Sequence, residues 1–369
     1  MNEEQQKTAF DVACAIRKWA VSRGILPPIP GALEAAIQAN VEPINASQDF
    51  ESLLRQKELL SIAFNEQSRI IYLYTKRKVT GKDLKSLPSS ILQCGIAYPQ
   101  GLVDEIGKTN HVAHSAVASM ILINGSNRYL CGSSISPGNS NSAGTLGALV
   151  IDAEGIVHGL TNNHVTGLCS HSQPGLPILA PGVLDVSPGG VIPFTLGFHK
   201  SVLEMNHGTQ GNVDVAKNSD AAIFSILNVE NVSSIQGGVY DTPTTISDPA
   251  DGMIVEKVGR TTGHTRGKIV GRELMPVDIS YSAPNFGFQG KIYFDNVWTI
   301  HGEGVPFGQP GDSGSLIVHV EDNGARHAVG LLFAGGTDSL GPEGQRTFFL
   351  PIRQILEKLQ VSLLGGHNV

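Results

Sequence analysis

In the first part of the chain, apolar residues recur every three or four positions. Phe10, Ala13, Ile16, Trp19 and Ala20 make one such stripe, Gly24 stands where a helix would stop, and Pro27, Pro28 and Pro30 bar its continuation. A second helix is expected over residues 33–39. A third is expected over 49–64, where Phe50, Leu53, Leu54, Leu60 and Phe64 share a stripe. Such stripes are packing faces, and they predict a small helical domain over residues 1–66. The period then changes. Arg69-Ile70-Ile71-Tyr72-Leu73-Tyr74 reads as a strand, residues 82–87 as a turn or short helix, and residues 95–98 as another strand. This αβ segment, 67–111, ends in a linker at about 99–111.

Beyond residue 116 the pattern is one of short apolar runs between glycine and proline turns. The runs are 119–123, 146–151, 156–160, 221–226, 268–270, 292–294, 316–320 and 328–333. Short strands with no helices between them predict a sandwich or barrel. Only residues 352–359, with Ile352, Ile355, Leu356 and Leu359 at helical spacing, read as a closing helix.

Composition agrees with a loop-rich β protein, with 43 glycines and 20 prolines in 369 residues. A net charge of −7 disfavours a nucleic-acid partner, which would demand phosphate neutralisation. The one basic cluster, Lys76-Arg77-Lys78 with Lys82 and Lys85, reads as a solvated strand end. The four cysteines, Cys14, Cys94, Cys131 and Cys169, have no metal-ligand spacing and imply no disulfide framework. Residues 1–7 are polar, without a secretory pattern, and no run of about 18 apolar residues occurs. The expectation is a cytoplasmic protein with no membrane contact.

The candidate chemistry begins at Gln309-Pro310-Gly311-Asp312-Ser313-Gly314-Ser315, which sets one serine between glycines ahead of the apolar run Leu316-Ile317-Val318. A serine hydroxyl is a poor nucleophile until a base takes its proton, and the oxyanion it creates needs two uncrowded donors. The backbone N–H groups of Gly311 and Ser313 are the candidates for those donors. Gly-Asp-Ser-Gly alone is also ordinary turn chemistry, so its partners must decide. Of twelve histidines, His164 ends the hairpin-like stretch Leu160-Thr161-Asn162-Asn163-His164-Val165. Asp220 precedes Ala221-Ala222-Ile223-Phe224, at the mouth of a strand. Asp214 competes with it, and strand alternation does not choose, because the two positions share a face. The apolar run just after Asp220 favours it.

The order His164, Asp220, Ser313 with these strings resembles the trypsin-like, chymotrypsin-fold serine proteases. Val258-Gly259-Arg260-Thr261-Thr262-Gly263 is similar to the Gly-x-Thr-Thr-Gly hairpin of bacterial members such as the streptogrisins. Gly144-Thr145-Leu146-Gly147 before Leu-Thr-Asn-Asn-His-Val resembles the intracellular branch that includes the narrow-leaf proteins of plants, whose motif order also matches Asp220. The resemblance spans roughly residues 112–357. It implies a mainly β domain over 112–369 built of two six-stranded antiparallel barrels. The first barrel would carry His164 and Asp220, the second Ser313, and the closing helix would pack on the second.

It also implies a substrate pocket with Phe307 at one wall or its base, within Val305-Pro306-Phe307-Gly308, and with Phe333, Ala334 and Gly335 on the strand that pairs with the substrate. No acidic residue stands six positions before Ser313, where a preference for Lys or Arg would place one, so a small or apolar side chain is expected. Asp338 keeps a basic preference open. Secreted relatives pair the aspartate before the serine with a freshly cut amino terminus; nothing comparable precedes the barrel here, which leaves Asp312 with another partner or none. They also carry a disulfide beside the histidine, but Cys169, five residues beyond His164, is poorly placed to pair with Cys131.

The resulting expectation is an intracellular serine endopeptidase without cofactor or metal, acting on a protein or peptide. Its amino-terminal region would regulate it or recruit a substrate, with the helical domain as a surface for a protein partner. A protease-fold scaffold that acts by binding, and an esterase-like acyl hydrolase, are the alternatives.

Overall fold

The computed structural model describes residues 7–103, 127–209 and 211–369. The strand expected at 119–123 lies outside them, as does the boundary expected at 111.

Thr8 caps α1 (Ala9–Ser22). Its hydroxyl accepts the Asp11 N–H at 3.1 Å while the Asp11 carboxylate accepts the Thr8 N–H at 3.0 Å, a reciprocal capping box. α1 buries Val12, Ile16 and Trp19, and α2 (Ala32–Asn40) is tied to it by the buried Arg17–Glu34 ion pair. Trp19 stacks on Phe50 of α3 (Gln48–Lys57), ring centroids 5.1 Å apart. Each buried side chain of this size contributes about 1.5–3 kcal/mol, so the stripe fixes which face turns inward.

The third helix does not reach residue 64. Glu58 turns left-handed at φ 56° and ends α3, and Leu59–Asn65 is a strand paired with Ile70–Thr75, Ile62 opposite Leu73. The consecutive residues Ile62, Ala63 and Phe64 are all buried, which suits a strand covered on both faces, whereas Leu60 of the supposed helical stripe is 42 % exposed. Residues on either side of position 66, which the sequence pattern assigns to different segments, are therefore hydrogen-bonded neighbours.

One sheet closes on itself. Its neighbours in order are Ile254–Gly259, Leu316–Val320, Arg326–Thr337, Gln345–Pro351, Trp298–Gly302 and Gly263–Glu273, and the last pairs back onto the first. The far end of Gly263–Glu273 also pairs with Leu59–Asn65, Ala63 opposite Glu273. Through that pairing Leu59–Asn65, Ile70–Thr75, Cys94–Ala97 and Ser90–Ile91 extend the barrel wall outward, with α1–α3 sharing their core.

The other large sheet runs Val361–Leu363, Ala148–Asp152, Val157–Thr161, Ala222–Ile226, Phe194–Val202, Pro177–Ala180, Ser134–Pro137, Gly144–Thr145. It curls into a half-barrel that does not close among the described residues. Ala148, Leu160 and Ile223 of this sheet share one apolar core with Val258, Leu316, Phe333 and Phe348 of the closed barrel. α4 (Ile352–Leu359) packs on the barrel strands, and the strand after it returns to the half-barrel, clamping the two together. A separate hairpin, Val277–Ala283 with Phe288–Phe294, inserts Ile279, Tyr281, Ile292 and Phe294 into the same core.

Candidate active site

Register brings His164 and Asp220 together. Val157–Thr161 and Ala222–Ile226 are antiparallel neighbours with Thr161 opposite Ala222, so the residues just after one strand meet those just before the other. His164 sits in a single helical turn of π type, Asn163–Gly167, a local widening found often at functional sites. Two buried asparagines hold that turn. The Asn162 amide donates to the Asp220 carbonyl at 2.6 Å, and the Asn163 amide donates to the Leu203 carbonyl at 2.8 Å.

The Asp220 side chain is fully buried and accepts three donors. His164 Nδ1 lies 2.5 Å from Oδ2, the His164 backbone N–H 2.9 Å from Oδ1, and the Tyr281 hydroxyl 2.8 Å from Oδ2. This leaves Nε2 as the face of His164 open to other groups. Asp214 is exposed and lies 3.8 Å from Lys217, and no hydrogen bond joins it to His164 among the described residues. Burial, then the charge of Asp220, push the Tyr281 phenol well above its ordinary range, so it stays a neutral donor.

Ser313 reaches the site from the closed barrel. Thr145 of the half-barrel donates its N–H to the Ser313 carbonyl at 2.9 Å, and Thr161, three residues before His164, donates its hydroxyl to the Thr145 carbonyl at 2.8 Å. A Cβ at Gly314 would lie 2.6 Å from that same carbonyl, so glycine is what lets the serine loop approach. No hydrogen bond joins the Ser313 hydroxyl to His164 among the described residues; such bonds are often long until substrate is present. Within the loop the N–H groups of Asp312, Gly314 and Ser315 donate to Gln309, Leu332 and Asp312 carbonyls. Those of Gly311 and Ser313 have no acceptor among the described residues. Gly311 holds φ 100°, which aims the loop this way without a side-chain penalty.

Asp312 has an internal cation. Its carboxylate lies 3.3 Å from Lys257 Nζ, both side chains fully buried, and accepts N–H groups of Thr261 at 2.8 Å, Thr262 at 3.1 Å and Gln309 at 2.9 Å. The Thr262 hydroxyl adds a fourth donor at 2.7 Å. The Gly259–Gly263 hairpin is thus the cradle of the serine loop. Burial pulls the Lys257 ammonium below its ordinary range, with the Asp312 charge opposing.

The expected pocket residues lie close by. Phe333 and Ala334 are buried in the shared core, and Gly335 is partly exposed on the same strand. Phe307 is 1 % exposed and packs with Val255, Ile300 and Phe349 inside the closed barrel, so it supplies bulk beneath the site. A Cβ at Gly308 would lie 2.7 Å from Leu332 and 3.4 Å from Thr347, both neutral. Asp338 is buried and already engaged, accepting from the Tyr74 hydroxyl at 2.8 Å and the Leu340 N–H at 2.8 Å and lying 2.9 Å from His301 Nε2.

All four cysteines are buried and unbridged. Burial, with the Asp220 charge adding, pushes the Cys169 thiol up to about 12, which leaves it no rival nucleophile. No helix among the described residues is long and apolar enough to cross a membrane.

Sequence reasoning missed Lys257 and Tyr281. A lysine beside Glu256 in the apolar run Ile254-Val255-Glu256-Lys257-Val258 was a readable signal. Tyr281, 61 positions from Asp220, offered none.

A closed six-stranded barrel and a curled half-barrel meeting at these loops define a fold of chymotrypsin type. Solved structures similar to the chain are serine proteases of that fold. Thermobifida fusca protease A is 19 % identical, with 64 % of this chain and 98 % of that one covered and a TM-score of 0.41. Nocardiopsis protease is 20 % identical, with 63 % and 97 % covered and a TM-score of 0.39. Among curated proteins, the chain is similar to Protein NARROW LEAF 1 of Oryza sativa subsp. japonica, 23 % identical over 386 residues. That similarity covers 93 % of this chain and 64 % of the plant protein, so the chain spans less than two thirds of its relative's length. No family model matches.

Proposed function

We propose that this protein is an intracellular serine endopeptidase that cuts peptide bonds through Ser313, His164 and Asp220. The observation that carries the reading is the pairing of His164 Nδ1 with the buried Asp220 carboxylate beside a serine loop whose Gly311 and Ser313 N–H groups have no acceptor among the described residues.

Asp220 holds the proton of His164 on Nδ1, so Nε2 is the basic nitrogen. Nε2 takes the Ser313 proton as Oγ attacks the scissile carbonyl, and the Gly311 and Ser313 amides receive the oxyanion. The imidazolium, stabilised by Asp220, then protonates the leaving amine. Water enters, gives a proton to Nε2 and attacks the acyl-serine; collapse of the second oxyanion breaks the bond to Ser313 Oγ, which takes the proton back from Nε2, and the acid is released. The neutral surroundings of Gly308 and Thr347, with Asp338 spent on Tyr74 and His301, support a small or apolar residue before the cut bond. Four unbridged thiols support a reducing compartment.

A fluorophosphonate probe with mass-spectrometric mapping tests this. Ser313 should carry the adduct, Ser313→Ala should carry none, and its peptide turnover should fall by about 10⁶. Labelling elsewhere, or none in a folded protein, would replace the enzyme with a binding scaffold.

A further inference from the structure

Both peptide planes that flank Gly311, one of the two oxyanion donors, are pinned through their carbonyls. The Thr261 hydroxyl donates to the Pro310 carbonyl at 2.8 Å, and the Thr145 hydroxyl donates to the Gly311 carbonyl at 2.9 Å. A hydroxyl that gives its one proton keeps its oxygen free to accept, and a single residue fills that role for both threonines. Arg260 Nη1 donates to Thr261 Oγ1 at 3.1 Å, and the Arg260 backbone N–H donates to Thr145 Oγ1 at 3.1 Å.

Arg260 is itself held from the half-barrel. Its Nε lies 2.7 Å from one oxygen of the Asp185 carboxylate and its Nη2 meets the other, a two-point contact that fixes the plane of the guanidinium. Asp185 ends the single turn Val183–Asp185, between the half-barrel strands Pro177–Ala180 and Phe194–Val202, and it also accepts the Ser134 hydroxyl. Its side chain is 3 % exposed and that of Arg260 17 %, so the pair is largely withdrawn from water. The guanidinium lies directly against the serine loop. A Cβ at Gly311 would fall 2.6 Å from Arg260 Nη1 and 2.3 Å from Thr261 Oγ1, so glycine is what allows this contact.

In a trans peptide the C=O and N–H point in opposite directions, so the Pro310 carbonyl held by Thr261 turns the Gly311 N–H to the other side. Half a turn of that peptide would break the Thr261 bond and set a carbonyl oxygen where the donor stands, repelling an oxyanion instead of binding it. We propose that Asp185, Arg260 and Thr261 form a positioning relay that holds the Pro310–Gly311 peptide with its N–H toward the oxyanion. This rests on the acyl-transfer reading of Ser313. The oxyanion site is then built by both barrels: the serine loop carries the donor, and Asp185 of the half-barrel sets its direction.

The rate at which a simple fluorophosphonate labels Ser313 in the full chain reads the relay, because the phosphoryl oxygen of the probe takes the place of the oxyanion. Thr261→Val keeps the shape and removes the hydroxyl, and the labelling rate should fall about 10- to 100-fold, approaching the loss from deleting an oxyanion donor outright. Thr261→Ser returns the hydroxyl and should recover most of the rate. Asp185→Asn enters the relay at its far end and should also slow labelling. The double variant should be no slower than the slower single one, as expected of groups that act as a unit. Thermal unfolding of each variant shows that it is folded. A folded Thr261→Val that labels at the wild-type rate, a Thr261→Ser no faster than Thr261→Val, or losses that multiply in the double variant would overturn the relay while leaving the triad standing. Should Thr261→Val not fold, Asp185→Asn decides: a folded Asp185→Asn that labels at the wild-type rate overturns the relay. No labelling of Ser313 in the wild type would overturn the acyl-transfer reading, and the relay with it.

Discussion

The Tyr281 hydroxyl gives the Asp220 carboxylate a donor that packing alone does not require. Its ring lies 5.4 Å from that of His164, and its oxygen shares Oδ2 with Nδ1. A hydrogen bond to a charged group is worth about 1.5–3 kcal/mol. Tyr281→Phe keeps the ring and loses the bond, so kcat should fall about 10- to 100-fold with KM nearly unchanged. A lowered melting temperature with kcat unchanged would make Tyr281 a packing residue only. No sequence signal pointed here, because a tyrosine in an alternating strand reads equally well as core; only the fold shows that the hairpin carrying it lies beside the histidine turn.

At the scale of elements, the decisive unit is the hairpin 259–263 with the serine loop it supports. Its motif was legible in the sequence, but its job was not. Thr261 and Thr262 serve the Asp312 carboxylate rather than a substrate, and Lys257, one strand position away from the motif, balances its charge. The His164 and Ser313 loops were legible for the same reason, since packing has no use for a short polar string set at the end of an apolar strand. The helix expected through residue 64 failed because a three- to four-residue spacing also arises in a strand buried on both faces. Lys257→Met strands the Asp312 carboxylate in the interior, and breaking a buried pair in this way costs about 3–5 kcal/mol. Denaturation should show that loss, and Asp312→Asn added to it should recover part, a coupling that a double-mutant cycle measures. Strictly additive effects would mean that the two side chains do not depend on each other.

At the scale of the whole molecule, the amino-terminal strands continue the barrel wall, and Asp338 is the joint. It binds Tyr74 from that extension and His301 from the barrel in one buried carboxylate, while Arg346 lies 3.8 Å over the Tyr74 ring and pairs with Glu273 at 2.9 Å. Burial pushes the Asp338 carboxyl up, but the bonds from His301, Leu340 and Tyr74 outweigh it and leave it below its ordinary value of 3.8. A carboxyl whose folded value is depressed adds stability above its unfolded value, and that contribution disappears as pH falls through the folded one. The joint should therefore be fully made at neutral pH and weaken only below about pH 4. Asp338→Asn should cost about 2–4 kcal/mol at pH 7, because the amide places a donor against donors. The gap between variant and wild type should narrow as pH drops below 4, which unfolding midpoints measured across pH 3–8 would follow. A gap constant with pH would mean that shape, not charge, makes Asp338 the joint between the amino-terminal strands and the strand that passes the serine loop at Leu332.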